Sequence, residues 1–478
     1  MPPERVADAL RAIDAGFDAA RRDLEELVRI PSVSAAPEHR ADVHASAEAT
    51  ARQLERAGLE RVRLATVDGS HPYVIGEWSH AGPDAPTVLL YAHHDVQPPG
   101  VVERWASDPF VPEERGGRLY GRGTADDKAG AVAHACAVGA WLTATGALPC
   151  NVRVVVEGEE EIGSPSLHAF LTRHRDELRS DVLVLADAGN WRVGVPGLTY
   201  SLRGLVTVDV ELRALDGPVH SGMAGGAVPD PMMALARVLA SMVDEHGDPA
   251  VDGLWDDVAP LSARQREPIA GFDDAPDAYA RALGLRPGVR LAGDPGVPVH
   301  ARLWWRPALT VIGIDAHPIT GSSNQILARA AARVSLRLAP GQDPRRVADR
   351  VRAHVERRVP FGLELHVRAL DGAPAWSCSP EGPAFDAAVA ALREGFGAEP
   401  VLMGVGGSIP FVGPFADAFG GIPALLLGPS DPHSRIHGED ESLHLGDWRS
   451  LMRAEVLLLA GLGARSPDEL RAATAGPR

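Results

Sequence analysis

The sequence predicts an α/β protein interrupted by a smaller α+β insertion. Short runs of almost continuous apolar residues alternate with helical periodicity in the N-terminal and C-terminal parts. The middle of the chain differs, with strand-like runs that alternate in polarity. At 478 residues the chain also exceeds what one core usually holds, so two domains are expected.

Residues 4–28 have helical spacing, with Val6, Leu10, Ile13, Phe17, Leu24, Leu27 and Val28 on one side. A second helical stretch covers about 41–58. The apolar runs are PTVLLYA (86–92), NVRVVVEG (151–158), DVLVLADA (181–188) and IPALLLG (422–428). Such runs suit strands covered on both faces. Helical patterns over 127–146, 164–178 and 383–396 separate them.

In the middle, TYSLRGLVTVDVELRA reads as one half-exposed strand, and ASMVDEH closes a helix near 246. A Gly/Pro/Asp-rich stretch (247–300) precedes ALTVIGID (308–315), ARVSLRLAP (332–340) and the helical DPRRVADRVRAHVERR (343–358). The series is strand–helix–strand–strand–helix–strand. The expected domains are 1–199 with 370–478, and an inserted 200–369. No repeat is visible, and the tail after about 465 is expected to fray.

Composition narrows the function. The chain is 45% hydrophobic and 23% charged, which is globular. A net charge of -17 argues against nucleic-acid and anionic-membrane partners. No apolar run approaches the ~18 residues that span a bilayer. The first thirty residues carry acids throughout and resemble no secretory signal, so the cytoplasm is the expected location. Cys136, Cys150 and Cys378 form no C-x-x-C pair, so neither a disulfide framework nor a thiolate zinc site is expected. Cys136 falls in a helical stretch and reads as core. Of 47 basic residues, only Lys128 is a lysine.

Most of the apolar runs in the α/β part end in metal-type ligands. YAHHDVQP, EGEEEIGS, ADAGNW and GPSDPHSRIHGEDE follow such runs, and GRGTADDKAG leads into a helix. Open α/β sheets bind ligands beyond the carboxyl ends of their strands. Two divalent ions about 3.5–4 Å apart need a shared carboxylate, further ligands and room for a water. A second glutamate beside a ligating one would serve as general base. Alternatives stand beside each reading. His94 competes with His93 and His433 with His437. The acidic run EGEEE could be a solvated face, Asp187 a helix cap and Lys128 a surface residue. The glycines of GVGGSIPFV are a weak dinucleotide signal, lacking the third spaced glycine and the later acid.

The ordered combination H-x-D-V-Q-P, G-R-G-x-x-D-D-K, E-G-x-E-E-x-G-S and a late H-x-x-x-E resembles the M20 metallopeptidase family from about residue 20 to 460. YGRGTADDK and EGEEEIGSP are most similar to its dipeptidase branch. The resemblance implies a zinc-peptidase-type catalytic domain with a central mixed sheet and an inserted lid that also dimerises.

It also implies site roles. His93 and Asp187 would bind one zinc, Glu161 and His437 the other, and Asp126 would bridge them. Asp95 would orient His93, Glu160 would act as general base, and a cis peptide would join Asp126 to Asp127. His220 would stabilise the oxyanion from the partner subunit, with Asn324 a further contact. Arg337 would grip the substrate carboxylate with its planar fork, helped by Gly407 and Ser408, and lid closure would complete the site.

The expected function is hydrolysis of dipeptides or short peptides with a free C-terminal carboxylate, by a homodimer holding two Zn²⁺ per subunit. Mn²⁺ or Co²⁺ could substitute. The alternatives are an N-acyl-amino-acid deacylase of the same family, a non-catalytic relative and a nicotinamide enzyme.

Overall fold

A computed structural model describes residues 2–258, 260–261, 269, 276–370, 372–409 and 411–471. The described residues fall into two compact units. Met1–Tyr200, Cys378–Met403 and Pro410–Arg478 supply the first, and Ser201–Ser377 with Gly404–Ile409 the second.

The first unit is α/β, as expected. Its helices include α1 (Pro3–Val28), α2 (Arg40–Arg56), α3 (Lys128–Thr145), α4 (Pro383–Phe396) and α5 (Leu445–Gly463). Its mixed sheet contains β1 (Glu60–Ala65), β2 (Tyr73–Trp78), β3 (Thr87–His93), β4 (Asn151–Glu157), β5 (Val182–Leu185), β6 (Gly197–Leu202) and β7 (Ala424–Leu426). The strands lie in the order β1-β2-β4-β3-β5-β7-β6. Strand β3 runs parallel to β4 and β5, and β7 parallel to β5. The outer pairs β1–β2, β2–β4 and β7–β6 are antiparallel.

Continuous apolarity of β3 and β5 matches burial on both faces, from Val88 to Ala92 and from Val182 to Ala186. Helix α3 is rich in alanine, so α1 and α5 approach it closely. Two tryptophans lock that layer, since Trp141 donates to the Val456 carbonyl and Trp448 to that of Ala129. Truncating a core residue such as Leu89 to alanine would cost about 2–5 kcal/mol.

The second unit has the expected strand–helix–strand–strand–helix–strand order. Strands Ala308–Asp315, Arg329–Leu338, Gly204–Arg213 and Glu364–Ala369 form an antiparallel sheet in that spatial order. Val206, Val208, Val210 and Leu212 bury one face against helices Pro231–Ala240 and Pro344–Glu356. Alternation along these strands gives them a polar second face.

Several expectations change. The run TYSLRGLVTVDVELRA is two strands, broken at Arg203, of which β6 is buried throughout and the next alternates. The described residues of 370–377 and 404–409 join the second unit rather than the first. Leu205 and Ala373 exchange backbone hydrogen bonds, and Gly404 and Gly406 lie against Trp304 and Arg203. Strands β1 and β2 were not read from the sequence. The tail forms a helix at Pro467–Arg471 with Leu470 buried, where fraying was expected. Part of 247–300, Pro410 of GVGGSIPFV and residues 472–478 lie outside the described residues. Among the described residues, no helix is long and apolar enough to cross a membrane.

Candidate metal centre and active site

The carboxyl ends of the sheet's parallel strands deliver the candidate ligands. His93 closes β3, and Glu160 and Glu161 open a single helical turn after β4. Asp187 follows β5 by two residues, and His437 lies in the loop after β7. Asp126 ends the Gly-rich loop that enters α3. This is where an open α/β sheet places a ligand site.

Two groups of possible ligand atoms result. His93, Asp126 and Asp187 form one, and Asp126, Glu161 and His437 the other, each with its atoms within 4.8 Å of one another. Asp126 belongs to both. Its Oδ1 lies 3.0 Å from His93 Nε2, and its Oδ2 lies 3.1 Å from His437 Nε2. His437 Nε2 is also 3.2 Å from Glu161 Oε2, and His93 Nε2 is 3.9 Å from Asp187 Oδ2. The Asp126–Asp127 peptide is cis.

Neighbouring groups hold these side chains. The Asp95 carboxylate accepts the backbone N–H of Glu160 at 3.2 Å and of Glu161 at 3.1 Å. His93 Nδ1 lies 3.0 Å from the Asp95 carbonyl and 3.4 Å from its Oδ1. Asp95 therefore touches His93 as expected, but its carboxylate mainly positions the Glu160–Glu161 turn. Gln97 was missed, although it stands in H-x-D-V-Q-P. Its side chain donates to Glu161 Oε2 at 2.9 Å and its backbone to Oε1 at 3.1 Å.

Glu441 is the second such residue. The sequence offered it only as a marker for His437. Its buried carboxylate accepts the backbone N–H groups of Gly123, Ala125 and Asp126 at 3.1, 2.9 and 3.2 Å, and Arg122 Nη1 at 2.6 Å. It thus ties the His437 loop to the Asp126 loop. Gly123 permits that turn, with φ +85° and Val96 only 2.6 Å from where a Cβ would be.

The site is crowded with acids. Burial pushes the Glu160 carboxyl well above the ordinary glutamate range; Asp187, Glu161 and Asp126 add to this while His93 opposes it. Burial does the same to Asp187. Among the described residues, no hydrogen bond holds the Glu160 carboxylate, so it is available to exchange a proton. Two imidazoles and three carboxylates in this arrangement fit a pair of divalent ions, which would offset the acidic repulsion. Behind the site, Glu157 accepts from Tyr91 at 2.7 Å and Tyr73 at 3.1 Å. Burial pushes it up to about 7, against the pull of the Tyr91 hydrogen bond.

The rival histidines stay apart from both groups. His94 points behind β3, with Nε2 2.9 Å from the Pro72 carbonyl, and His433 belongs to neither group of possible ligand atoms. Lys128 is fully buried, and its ammonium donates to the carbonyls of Leu27 and Ile30 at 2.8 and 2.7 Å. It caps the C-terminal end of α1, where a cation is favoured. Burial pushes the Cys136 thiol up to about 12, which suits a packing residue better than a nucleophile.

The second unit carries the remaining candidates. His220 pairs with Gln325 in a short ribbon, and the Ser221 N–H donates to the Asn324 carbonyl, so His220 and Asn324 are neighbours. His220 is exposed. Arg337 lies on strand Arg329–Leu338 opposite Leu205, and Gly407 and Ser408 follow in the loop after Val405.

Residues 89–460 match the model of peptidase family M20/M25/M40. The chain is 34% identical to a cysteinylglycine-S-conjugate dipeptidase of Corynebacterium striatum, over 92% of this chain and 95% of that one. It is 27% identical to a Cys-Gly metallodipeptidase of Saccharomyces cerevisiae, over 89% and 91% respectively. Its fold is similar to the crystal structure of human carnosine dipeptidase 1, with TM-score 0.84 and 27% identity, covering 97% of this chain and 100% of that one.

Proposed function

The chain belongs to peptidase family M20/M25/M40, and on that premise we propose that it is a two-zinc dipeptidase acting on dipeptides or short peptides with a free C-terminal carboxylate. The observation that carries this reading is the pair of ligand groups joined through Asp126. In it, His93 and Asp187 would hold one ion and Glu161 and His437 the other, with Asp126 available to both. Asp95, Gln97 and Glu441 keep those ligands in place.

When bound, the ions supply Lewis acidity to the substrate carbonyl and to water. Glu160 takes the proton from the attacking water and delivers it to the leaving amine. Its freedom from hydrogen bonds among the described residues supports that role. The first unit is the catalytic domain, and the second is the lid and dimerisation domain. His220 of the partner subunit, with Asn324 beside it, donates to the developing oxyanion. Arg337, Gly407 and Ser408 hold the terminal carboxylate.

The names of the relatives put Cys-Gly, its S-conjugates and carnosine at the head of a substrate panel. The experiment compares these dipeptides with N-acetyl amino acids on enzyme whose metal content is measured by atomic emission. Preferential dipeptide cleavage with two zinc ions per chain is expected. Faster hydrolysis of the N-acetyl series would replace this reading with a deacylase, and metal-independent turnover would end it.

A further inference from the structure

The break between β6 and the following strand places a buried arginine where the sequence reading had only a strand interior. Arg203 is 7% exposed. Its backbone N–H donates to the Val405 carbonyl at 3.2 Å. Its guanidinium donates through Nε to the Gly406 carbonyl at 3.2 Å and through Nη1 to that of Arg306 at 3.3 Å. Gly406 makes this approach possible, because a Cβ there would lie 2.8 Å from Arg203 Nη2.

Arg337 is close by. It stands opposite Leu205, two residues along the chain from Arg203. The charges repel: burial first, and Arg337 second, bring Arg203 down to about 10. Among the described residues, neither guanidinium has a carboxylate partner. A buried and a half-buried cation side by side without an anion are costly, and an incoming carboxylate would offset that cost.

The peptide plane supplies the rest. In a trans peptide the C=O of one residue and the N–H of the next point in opposite directions. Holding the Gly406 carbonyl toward Arg203 therefore turns the Gly407 N–H away from it. Among the described residues, that N–H has no protein acceptor.

We propose that Arg203 is a positioning residue for the carboxylate subsite: it pins the Gly406–Gly407 peptide so that the Gly407 N–H is presented to the substrate, and it adds a second positive charge behind Arg337. This rests on the reading that Arg337, Gly407 and Ser408 bind the terminal carboxylate.

The test uses full-length, zinc-loaded protein and the variants Arg203→Met, Arg203→Lys and Arg337→Met. Kinetics on Cys-Gly are combined with inhibition by a non-cleavable reduced-amide dipeptide, as free acid and as C-terminal amide. Arg203→Met is expected to raise KM and the free-acid inhibition constant about 10- to 100-fold. Its kcat should stay within about threefold, and the amide constant should barely move. Arg203→Lys, which keeps the charge and loses the fork, should fall between. Wild-type values in Arg203→Lys would overturn the pinning. So would equal weakening of acid and amide in both Arg203 variants, which marks a merely structural role. If Arg337→Met leaves the acid-over-amide preference intact, the carboxylate reading itself fails, whatever Arg203 does.

Discussion

The Asp95 carboxylate and the Glu161 N–H are hydrogen-bonded at 3.1 Å, with the Glu160 N–H on the other oxygen at 3.2 Å. One buried side chain therefore orients both glutamates of the Glu160–Ile162 turn. Asp95→Asn would set an NH₂ group against one of these donors. Metal affinity and kcat are both expected to fall about 10- to 100-fold. Competitive chelator titration beside steady-state kinetics checks this, and unchanged affinity would limit Asp95 to His93.

Glu160 has a different signature. Glu160→Gln keeps size and removes the base, so zinc content should match wild type while kcat drops about 10²–10⁴-fold. Atomic emission and turnover on the same sample decide it. A variant with near-normal turnover would require another base.

Glu441 gathers three backbone N–H groups and Arg122 in a buried position. Glu441→Gln leaves Arg122 without its anion and presents an amide NH₂ to donors. Removing one partner of a buried pair typically costs about 3–5 kcal/mol. Urea unfolding of metal-free protein should show a loss of that order, and, on the proposed two-ion reading, binding at the Asp126–Glu161–His437 group should weaken more than at the other. Equal weakening of both would contradict a link between these two loops.

Glu157 predicts a pH dependence. Its folded pKa of about 7 lies above the ordinary 4.5. The folded state then holds more protons than the unfolded state between those values, so stability falls as pH rises through that window. Glu157→Gln removes this slope. Between pH 4.5 and 7 the stability of Glu157→Gln relative to wild type should rise by on the order of 3 kcal/mol. Urea unfolding of the metal-free proteins across that range measures it, and parallel pH profiles would show that Glu157 is ionised throughout.

Much of this was legible in the residues. Neighbouring strand residues face opposite ways, so only one of His93 and His94 could reach the site. The apolar runs announced β3, β4, β5 and β7 because both faces of those strands are covered. Strand β1 was hidden because its exposed Arg61 and Arg63 break the apolar signal. Arg203 and Glu441 escaped for another reason. Their partners are, apart from Arg122, backbone groups of distant loops, and no side-chain pattern encodes which carbonyl or N–H a fold will bring near. Gln97 sat inside a recognised motif, yet its task depends on where Glu161 arrives from another strand.

The ligand loops are written on both sides of the inserted unit. His93, Asp126, Glu161 and Asp187 precede it, and His437 comes after it, beyond β7. During synthesis the ribosome therefore releases four of the five donors well before the last. A chain halted within the insertion would own all of one candidate three-donor group and only a fragment of the other, so one candidate position is complete in sequence before its neighbour.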